Sequence, residues 1–163
     1  MINKNKKQDQ AMGSAFKEEM VYDFTNGVPG FPELKKFYLS DLKDGSYPPL
    51  KVLMSLDNPE ISFILYPHVN GSSLFDQDTL YGFAKAYERT QKDLEIYSIV
   101  TIRRPDGNIA LTTNLKAPLV LDKTENKGWQ HIIPSRDADL MFPLDTLSRS
   151  FQAVRGKTMA AAV

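Results

Sequence analysis

The chain of 163 residues carries 20 basic and 20 acidic side chains, so its formal net charge at neutral pH is zero. A neutral total gives no general attraction to nucleic acid or to an anionic membrane. The absence of cysteine excludes disulfide scaffolds and cysteine-ligated zinc. No apolar run approaches the roughly 18 residues of a membrane span, and the polar N-terminus lacks the apolar segment of a signal peptide. We therefore expect a cytoplasmic protein that is neither exported nor in a membrane.

Turn residues divide the first half of the chain into short segments with strand character. Residues 1–18 are polar and aperiodic and are predicted to form a flexible N-terminal segment. Apolar side chains alternate or cluster in four segments that predict strands, residues 20–24, 36–39, 50–56 and 61–66.

Between the first two strands lies the sequence GVPGF, residues 27–31. Its Pro-Gly pair predicts a type II turn, because Pro29 fixes φ at about −65° and Gly30 accepts the positive φ that must follow. Large apolar side chains, Val28 and Phe31, flank the turn. A solvated loop has no need of them, so the turn is expected either to press onto a core or to face a partner.

In the second half of the chain, the spacing of apolar side chains changes from the alternation of a strand to the period of a helix. Apolar side chains recur at helical spacing from Leu80 to Tyr87, and Asp76 and Asp78 are placed to cap the start of this helix. Strand patterns then resume at residues 95–102, 109–115, 117–122 and 128–133, with hairpin turns at residues 104–108 and 123–127. Beyond Leu144, an apolar face predicts a short amphipathic helix made of Leu144, Leu147, Phe151 and Val154.

These elements predict an all-β fold that is mainly antiparallel, a small and partly open β-barrel with one short inserted helix and a second helix at the C-terminus. We divide the chain into a flexible segment (1–18), a single barrel domain (19–144) and a C-terminal extension with helical character (145–163).

The sequence offers no catalytic, metal-binding or cofactor-binding pattern. His68 and His131 lack nearby carboxylates at ligand spacing and are assigned structural or solvent-facing roles. No serine lies in a nucleophile elbow, and Lys157 lacks the upstream glycine of a phosphate-binding loop. We therefore predict no catalytic residue, no metal and no cofactor.

Two interpretations stay open at this point. Asp57 or Glu60 with His68 would suit a small hydrolase if the three side chains converged in a deep pocket. At turns, however, paired acids more often cap helices or face solvent. Trp129, the single tryptophan, is expected either to pack in the barrel core or to anchor an interface.

Five stretches together resemble the FliW family, flagellar assembly factors of bacteria. They occur in the family's order at residues 27–37, 53–63, 98–102, 113–121 and 128–133. The resemblance extends from about Met20 to Leu144. It departs at Asn58, where the family usually has an acidic residue, and it is loose between residues 70 and 95.

The resemblance implies a non-enzymatic cytoplasmic protein with a β-barrel-like fold. Family members bind the RNA-binding translational regulator CsrA and so relieve repression of flagellin mRNA, non-competitively with RNA. They also bind flagellin as a chaperone-like partner, and the resemblance implies neither direct nucleic-acid binding nor membrane binding. The alternative to this function is a small scaffold or a dimerisation module that pairs through the C-terminal helix.

Partner contacts are expected at exposed turns rather than inside strands. We predict that Pro29 and Phe31 in the first turn, and Asp57 and Glu60 in the turn after the third strand, contact a partner.

Overall fold

The computed structural model describes residues 17, 20–43, 45, 48–69, 71–136 and 138–161, with side chains described as far as residue 153. Within these residues the chain forms nine strands and two α-helices. The strands are β1 (Val21–Asp23), β2 (Lys36–Asp41), β3 (Lys51–Ser55), β4 (Ser62–Pro67), β5 (Leu94–Arg103), β6 (Ala110–Thr113), β7 (Leu119–Asp122), β8 (Lys127–Gln130) and β9 (Phe142–Pro143), and the helices are α1 (Gln77–Ala86) and α2 (Asp145–Ala161).

Seven strands close into a barrel. Their order around the ring is β1, β2, β3, β4, β5, β7 and β8, after which β8 returns to β1. Every neighbouring pair in the ring is antiparallel except β1 and β8, which run parallel and share the single pair Asp23–Lys127. The predicted, mainly antiparallel barrel is confirmed, but the ring is closed rather than partly open, and this one parallel pair closes it. Strands β6 and β9 extend the sheet outward from β5.

The core fills the barrel and continues beneath each helix. Inside the barrel, Phe24 and Phe37 are fully buried and meet edge to face, with their ring centres 5.1 Å apart. Beneath α1, Phe83 packs toward the fully buried Val120 of β7. Apolar residues at alternate strand positions therefore supply the inner layer, as the sequence pattern predicts.

The predicted inserted helix is confirmed, together with its cap. The Oδ1 atom of Asp76 accepts a hydrogen bond of 2.8 Å from the Thr79 N–H, so the N-cap satisfies a donor that the helix itself leaves free. The predicted hairpin between β5 and β6 is also present. Strand β9 was not predicted, because a two-residue strand that includes Pro143 offers no alternation to detect.

The C-terminal helix lies against its own barrel. Leu147 is buried and Phe151 half-buried in the cluster beside β6. Two polar side chains fasten the helix: Ser148 Oγ accepts from the Leu111 N–H at 2.8 Å, and Gln152 Oε1 accepts from the Ile109 N–H at 2.7 Å. The first turns of the predicted apolar face are therefore covered by the barrel of the same chain. Less of that face is left to pair with a second chain, as the alternative of a dimerisation module requires.

Two further predictions concern the ends of the chain. The flexible segment predicted for residues 1–18 lies outside the described residues, apart from Lys17, and the division into three parts stays a prediction. Neither described helix has both the length and the apolar character needed to cross a membrane.

Candidate protein-binding surface

The predicted type II turn is present at residues 28–31. The Phe31 N–H donates to the Val28 carbonyl oxygen at 2.7 Å, and Gly30 has a φ of 92°, which an L side chain rarely adopts. Pro29 and Gly30 are exposed at its tip. The predicted turn type is therefore confirmed, and its tip presents a preformed backbone to solvent.

The two apolar side chains that flank the turn are placed differently. Val28 is only 1% exposed and belongs to the barrel core. Phe31 is half-buried, and its ring meets that of Phe63 edge to face with the ring centres 5.9 Å apart. Val28 thus fastens the turn to the barrel, whereas Phe31 packs on the barrel with one side and keeps part of its ring at the surface.

The second predicted contact region is the turn between β3 and β4. Asp57 Oδ2 accepts hydrogen bonds from the backbone N–H groups of Lys35 and Lys36, at 2.7 and 2.9 Å. These bonds, that from Lys36 first, lower the pKa of the Asp57 carboxyl below its usual value. Asp57 is therefore exposed, but its carboxylate is already hydrogen-bonded to the backbone at the start of β2.

Glu60 has a different position in the same turn. Its backbone N–H donates to Asn58 Oδ1 at 3.2 Å, and the Ile61 N–H donates to the Asn58 carbonyl oxygen at 3.0 Å. The residue itself is exposed. Asn58, where the sequence departs from the family pattern, thus forms an Asx turn. The charged side chain of Glu60 is left exposed to solvent.

The structure brings the two turns together. Phe31 contacts Phe63 at the start of β4, and Asp57 binds the backbone of Lys35 and Lys36, where β2 begins. The four residues predicted from the sequence therefore lie on two turns that meet through the contact of Phe31 with Phe63, with Pro29, Asp57 and Glu60 exposed and Phe31 half-buried. Whether a partner uses this surface stays a prediction.

His68 lies far from both carboxylates. Asp57 and Glu60 precede β4 and His68 follows it, so the six residues of the strand, at about 3.3 Å each, separate them. His68 is 6% exposed, whereas both acids are exposed. The deep pocket required by the hydrolase alternative is not formed by these three side chains.

His68 instead holds a buried hydrogen-bond network. Its Nδ1 accepts from the Leu74 N–H at 3.2 Å, so Nε2 carries the proton and donates to Ser98 Oγ at 2.9 Å. Ser98 Oγ lies 2.7 Å from Thr113 Oγ1, which donates to the Ile99 carbonyl oxygen. Burial lowers the pKa of His68 to about 4, which keeps the ring neutral. The structural role predicted for His68 fits these contacts.

His131 and Trp129 belong to an aromatic layer between α1 and β8. The hydroxyl of Tyr87 lies 2.9 Å from His131 Nδ1, and the Tyr87 ring stacks on Trp129 with the ring centres 4.7 Å apart. Trp129 is half-buried, so it packs against the core and also reaches the surface. Both roles considered for the tryptophan remain compatible with this position.

The sequence reasoning missed one residue of this region, Gln130. Its Nε2 donates to the Ala117 carbonyl oxygen at 2.9 Å, while its buried Oε1 has no hydrogen-bond partner among the described residues. The available signal was an amide side chain within the predicted strand 128–133, beside Trp129. Among the described residues, no three histidines or acids converge as metal ligands would.

Comparison with known proteins identifies the family. The family model described as FliW protein matches residues 6–144. The flagellar assembly factor FliW of Caldanaerobacter subterraneus is 35% identical over 120 residues, which are 72% of this chain and 77% of the relative. That of Thermotoga petrophila is 30% identical over 125 residues, 76% of this chain and 81% of the relative.

A solved structure agrees with these relatives. The crystal structure of the flagellar assembly factor FliW superimposes with a TM-score of 0.60 and 26% sequence identity, over 79% of this chain and 88% of that one. The resemblance first seen in five short stretches is therefore confirmed over most of the chain. The chain belongs to the FliW family of flagellar assembly factors, a family not known as enzymes.

Proposed function

We propose that this flagellar assembly factor acts by binding two proteins in the cytoplasm, a CsrA-type RNA-binding regulator and flagellin. Binding of the regulator relieves repression of flagellin mRNA, and binding of flagellin is chaperone-like. No cofactor and no chemistry of its own are involved. The observation that carries the proposal is the pair of adjacent turns at the entry to β2 and β4, where Pro29 and Glu60 are exposed and Phe31 is half-buried.

The surface has the composition of a protein contact. An aromatic ring already held in place loses little freedom on binding, and charged groups at the rim supply specificity. Phe31 is held by Phe63, and Glu60 is an exposed charged residue of the neighbouring turn. The turn backbone is fixed by Gly27 and Val28, so this surface needs no reorganisation to meet a partner.

The balance of charge supports action away from the RNA-binding face of the regulator. A protein that mimicked RNA would be strongly acidic, whereas this chain has a formal net charge of zero. Around the proposed surface the signs are also mixed, since Lys35 and Lys36 lie beside Asp57. We therefore expect non-competitive binding, in which the regulator loses affinity for RNA while its RNA site stays accessible, and no direct contact of this chain with RNA.

Calorimetry with the regulator and the flagellin of the same bacterium tests the proposal directly. Each should bind at micromolar concentration or tighter, and failure of both would refute it. Non-competitive action predicts that excess RNA weakens the binding of this chain to the regulator only by a limited factor, equal to the factor by which this chain weakens RNA binding, because coupling between two sites is reciprocal. An apparent Kd that keeps rising in proportion to the RNA concentration would instead indicate a shared face.

Charge reversal at the surface tests the placement of the site. Glu60→Lys should weaken at least one partner by about fivefold or more, because a rim charge then opposes its partner. Glu88→Lys is the matched control, since it reverses another exposed glutamate, beyond the end of α1. Equal binding by both variants would remove Glu60 from the interface.

Phe31→Ala tests the aromatic anchor. Because Phe31 also packs on Phe63, binding is compared only after urea unfolding shows that the variant is folded at the assay concentration. Loss of one partner with the fold intact supports the anchor. Wild-type binding of both partners by Phe31→Ala and by Glu60→Lys would overturn this placement of the site.

A further inference from the structure

Strand β6 lies outside the barrel ring, and part of its outer edge has no strand beside it. On the inner side, β5 pairs with β6 along its whole length. On the outer side, β9 pairs with Thr112 and Thr113 only. Among the described residues, the outer edge from Ile109 to Leu111 therefore has no strand partner.

Helix α2 takes the place of the missing strand. The Leu111 N–H donates to Ser148 Oγ at 2.8 Å, and the Ile109 N–H donates to Gln152 Oε1 at 2.7 Å. Four residues of a helix rise about 6 Å and two residues of a strand about 6.6 Å, so the two acceptors match the spacing of the two N–H groups. The Leu144 N–H donates to the Leu111 carbonyl oxygen at 2.9 Å. Both backbone groups of Leu111 are thus satisfied by the segment that contains α2.

Helix α2 lies outside both the barrel ring and the residues that the family model matches. That match ends one residue before α2 begins. Before β9, the chain is anchored by the Leu115 N–H, which donates to the Asp139 carbonyl oxygen at 2.8 Å. Two exposed residues, Leu140 and Met141, lie between this anchor and β9. Residues 142–161 are therefore able to lift from β6 about this point while the ring stays closed.

The uncovered edge of β6 would fit the same edge of a second copy. Leu111 directs both backbone groups outward, and Ile109 and Thr113 share this direction because strand residues alternate. In an antiparallel pair centred on Leu111, this residue faces its own copy and Ile109 faces Thr113. Each outward N–H then meets an outward carbonyl oxygen. The contact uses the same residues of both copies, so it forms a closed two-fold dimer.

We propose that residues 142–161, which are β9 and α2, form a releasable guard of the β6 edge. While the guard is docked, the chain is a monomer, because Ser148 and Gln152 occupy the N–H groups of the edge. When the guard is released, β6 pairs with β6 of a second copy. Free strand edges are templates for pairing with another chain, and proteins prevent this by covering an edge with a helix. This behaviour depends on neither of the two partners proposed above.

Leu147→Asp tests the release of the guard. Leu147 is only 3% exposed, and a carboxylate there opposes the docking of α2. In dilute solution, faster amide exchange at Ile109 and Leu111 verifies release, and unchanged emission of the single tryptophan, Trp129, verifies that the barrel is folded. The mass of the full-length variant in light scattering should rise to that of a dimer with increasing concentration. Ser150→Asp is the matched control, since it places the same charge at an exposed position of α2 and should stay monomeric.

Gln152→Pro releases the guard by a second route. A proline inside α2 breaks the helix and removes the acceptor of the Ile109 N–H, while the buried side chain of Leu147 is kept. This variant should also dimerise. It replaces Leu147→Asp in the measurements if an aspartate in the apolar cluster prevents folding.

Pairs of charged substitutions test the register of the dimer. In the proposed pairing, Ala110 of one copy lies opposite Thr112 of the other. Added to a released variant, Ala110→Glu with Thr112→Glu sets like charges opposite each other and should weaken the dimer by about tenfold or more. Ala110→Glu with Thr112→Lys sets opposite charges at the same positions and should keep the dimer.

The measured masses distinguish the guard from its alternatives. A variant that is released and folded but stays monomeric overturns the proposal. Equal association of the two charged pairs would assign the contact to the uncovered apolar cluster and overturn pairing through β6. A dimeric wild type that Leu147→Asp dissociates would make α2 the contact between copies, which is the reverse of a guard.

Discussion

At each end of strand β4, one side chain accepts hydrogen bonds from backbone N–H groups of a neighbouring segment, but the two acceptors differ in charge and burial. At the first end, the free N–H groups of Lys35 and Lys36 are satisfied by the exposed carboxylate of Asp57. At the second end, the N–H of Leu74 is satisfied by the buried, neutral ring of His68. Each end ties a neighbouring loop to the barrel through one acceptor side chain.

The difference shows how solvent decides the acceptor. A charged group costs little free energy where water hydrates it. In the core, a neutral group avoids the free-energy cost of burying a charge. The exposed end therefore remains available to a partner, while the buried end stabilises the fold. The two ends should respond differently to substitution and to pH, which the following measurements examine.

The largest effect is expected at Gly27, which supports the exposed end. A Cβ on Gly27 would lie 2.6 Å from the Phe31 carbonyl oxygen, at a φ of 66°. Gly27→Ala should lower the free energy of unfolding by roughly 4 kcal/mol, from overpacking and backbone strain together. Gly30→Ala, whose Cβ meets no atom within 4 Å, should cost only about 1 kcal/mol. Urea unfolding of both variants measures this, and similar losses would contradict the packing argument.

His68→Ala should have the next largest effect. It removes the acceptor of the Leu74 N–H and the donor to Ser98, and leaves a space beside the ring of Phe75. We expect a loss of about 3 kcal/mol, since a buried network is broken and a cavity is created. His131→Ala, at a half-buried position, should cost about 1 kcal/mol by the same urea assay. A smaller loss for His68→Ala than for His131→Ala would reverse the assigned roles.

The pH dependence of stability should distinguish the two ends. Burial lowers the pKa of His68 to about 4, whereas the unfolded side chain protonates at about 6.5. The unfolded state therefore binds more protons in this window, so stability is full above about pH 6.5 and falls as the pH approaches about 4, by roughly 3 kcal/mol in total.

Urea unfolding of wild type and His68→Gln between about pH 7 and about pH 4 measures this slope. His68→Gln should lose most of it. His131, whose pKa is also lowered by burial, should leave a smaller slope of the same sign in the variant. An unchanged slope in His68→Gln would show that His68 does not stay neutral in the fold.

The smallest effect is expected at Asp57. Asp57→Ala should lower the free energy of unfolding by about 1 kcal/mol near neutral pH, a modest value because water and salt screen the exposed carboxylate. The pKa of Asp57 is lowered in the fold by the N–H groups of Lys36 and Lys35, so this contribution is present above its ordinary pKa and is lost as the pH falls through the folded value.

Asp57→Asn is the matched control, because it keeps a carbonyl acceptor and should lose less than Asp57→Ala. Paired denaturation curves at neutral and strongly acidic pH measure both variants. At acidic pH the difference between the wild type and Asp57→Ala should shrink toward the difference between Asp57→Asn and Asp57→Ala, because the protonated carboxyl keeps only a neutral carbonyl acceptor. A constant difference between the wild type and Asp57→Ala would indicate that the carboxylate charge is not what holds residues 35 and 36.

The sequence predicted most of the fold, because strand alternation, the Asp76 cap and the Pro-Gly turn are local signals. It predicted the turn that carries Pro29 and the one that carries Glu60, but not that Phe31 and Phe63 bring these turns together. The sequence also did not predict the hydrogen-bond network of His68 or the unpartnered Oε1 atom of Gln130. Each depends on contacts between residues far apart in the chain, which no local pattern specifies.

The single parallel pair between β1 and β8 also bears on how the molecule folds and opens. It joins positions 23 and 127, so closing the ring brings together two distant parts of the chain, a step that is slow when the intervening loop must be ordered first. All other seams of the ring share three or more pairs. The β1–β8 seam is therefore where the barrel should close last during folding and open first in the native state.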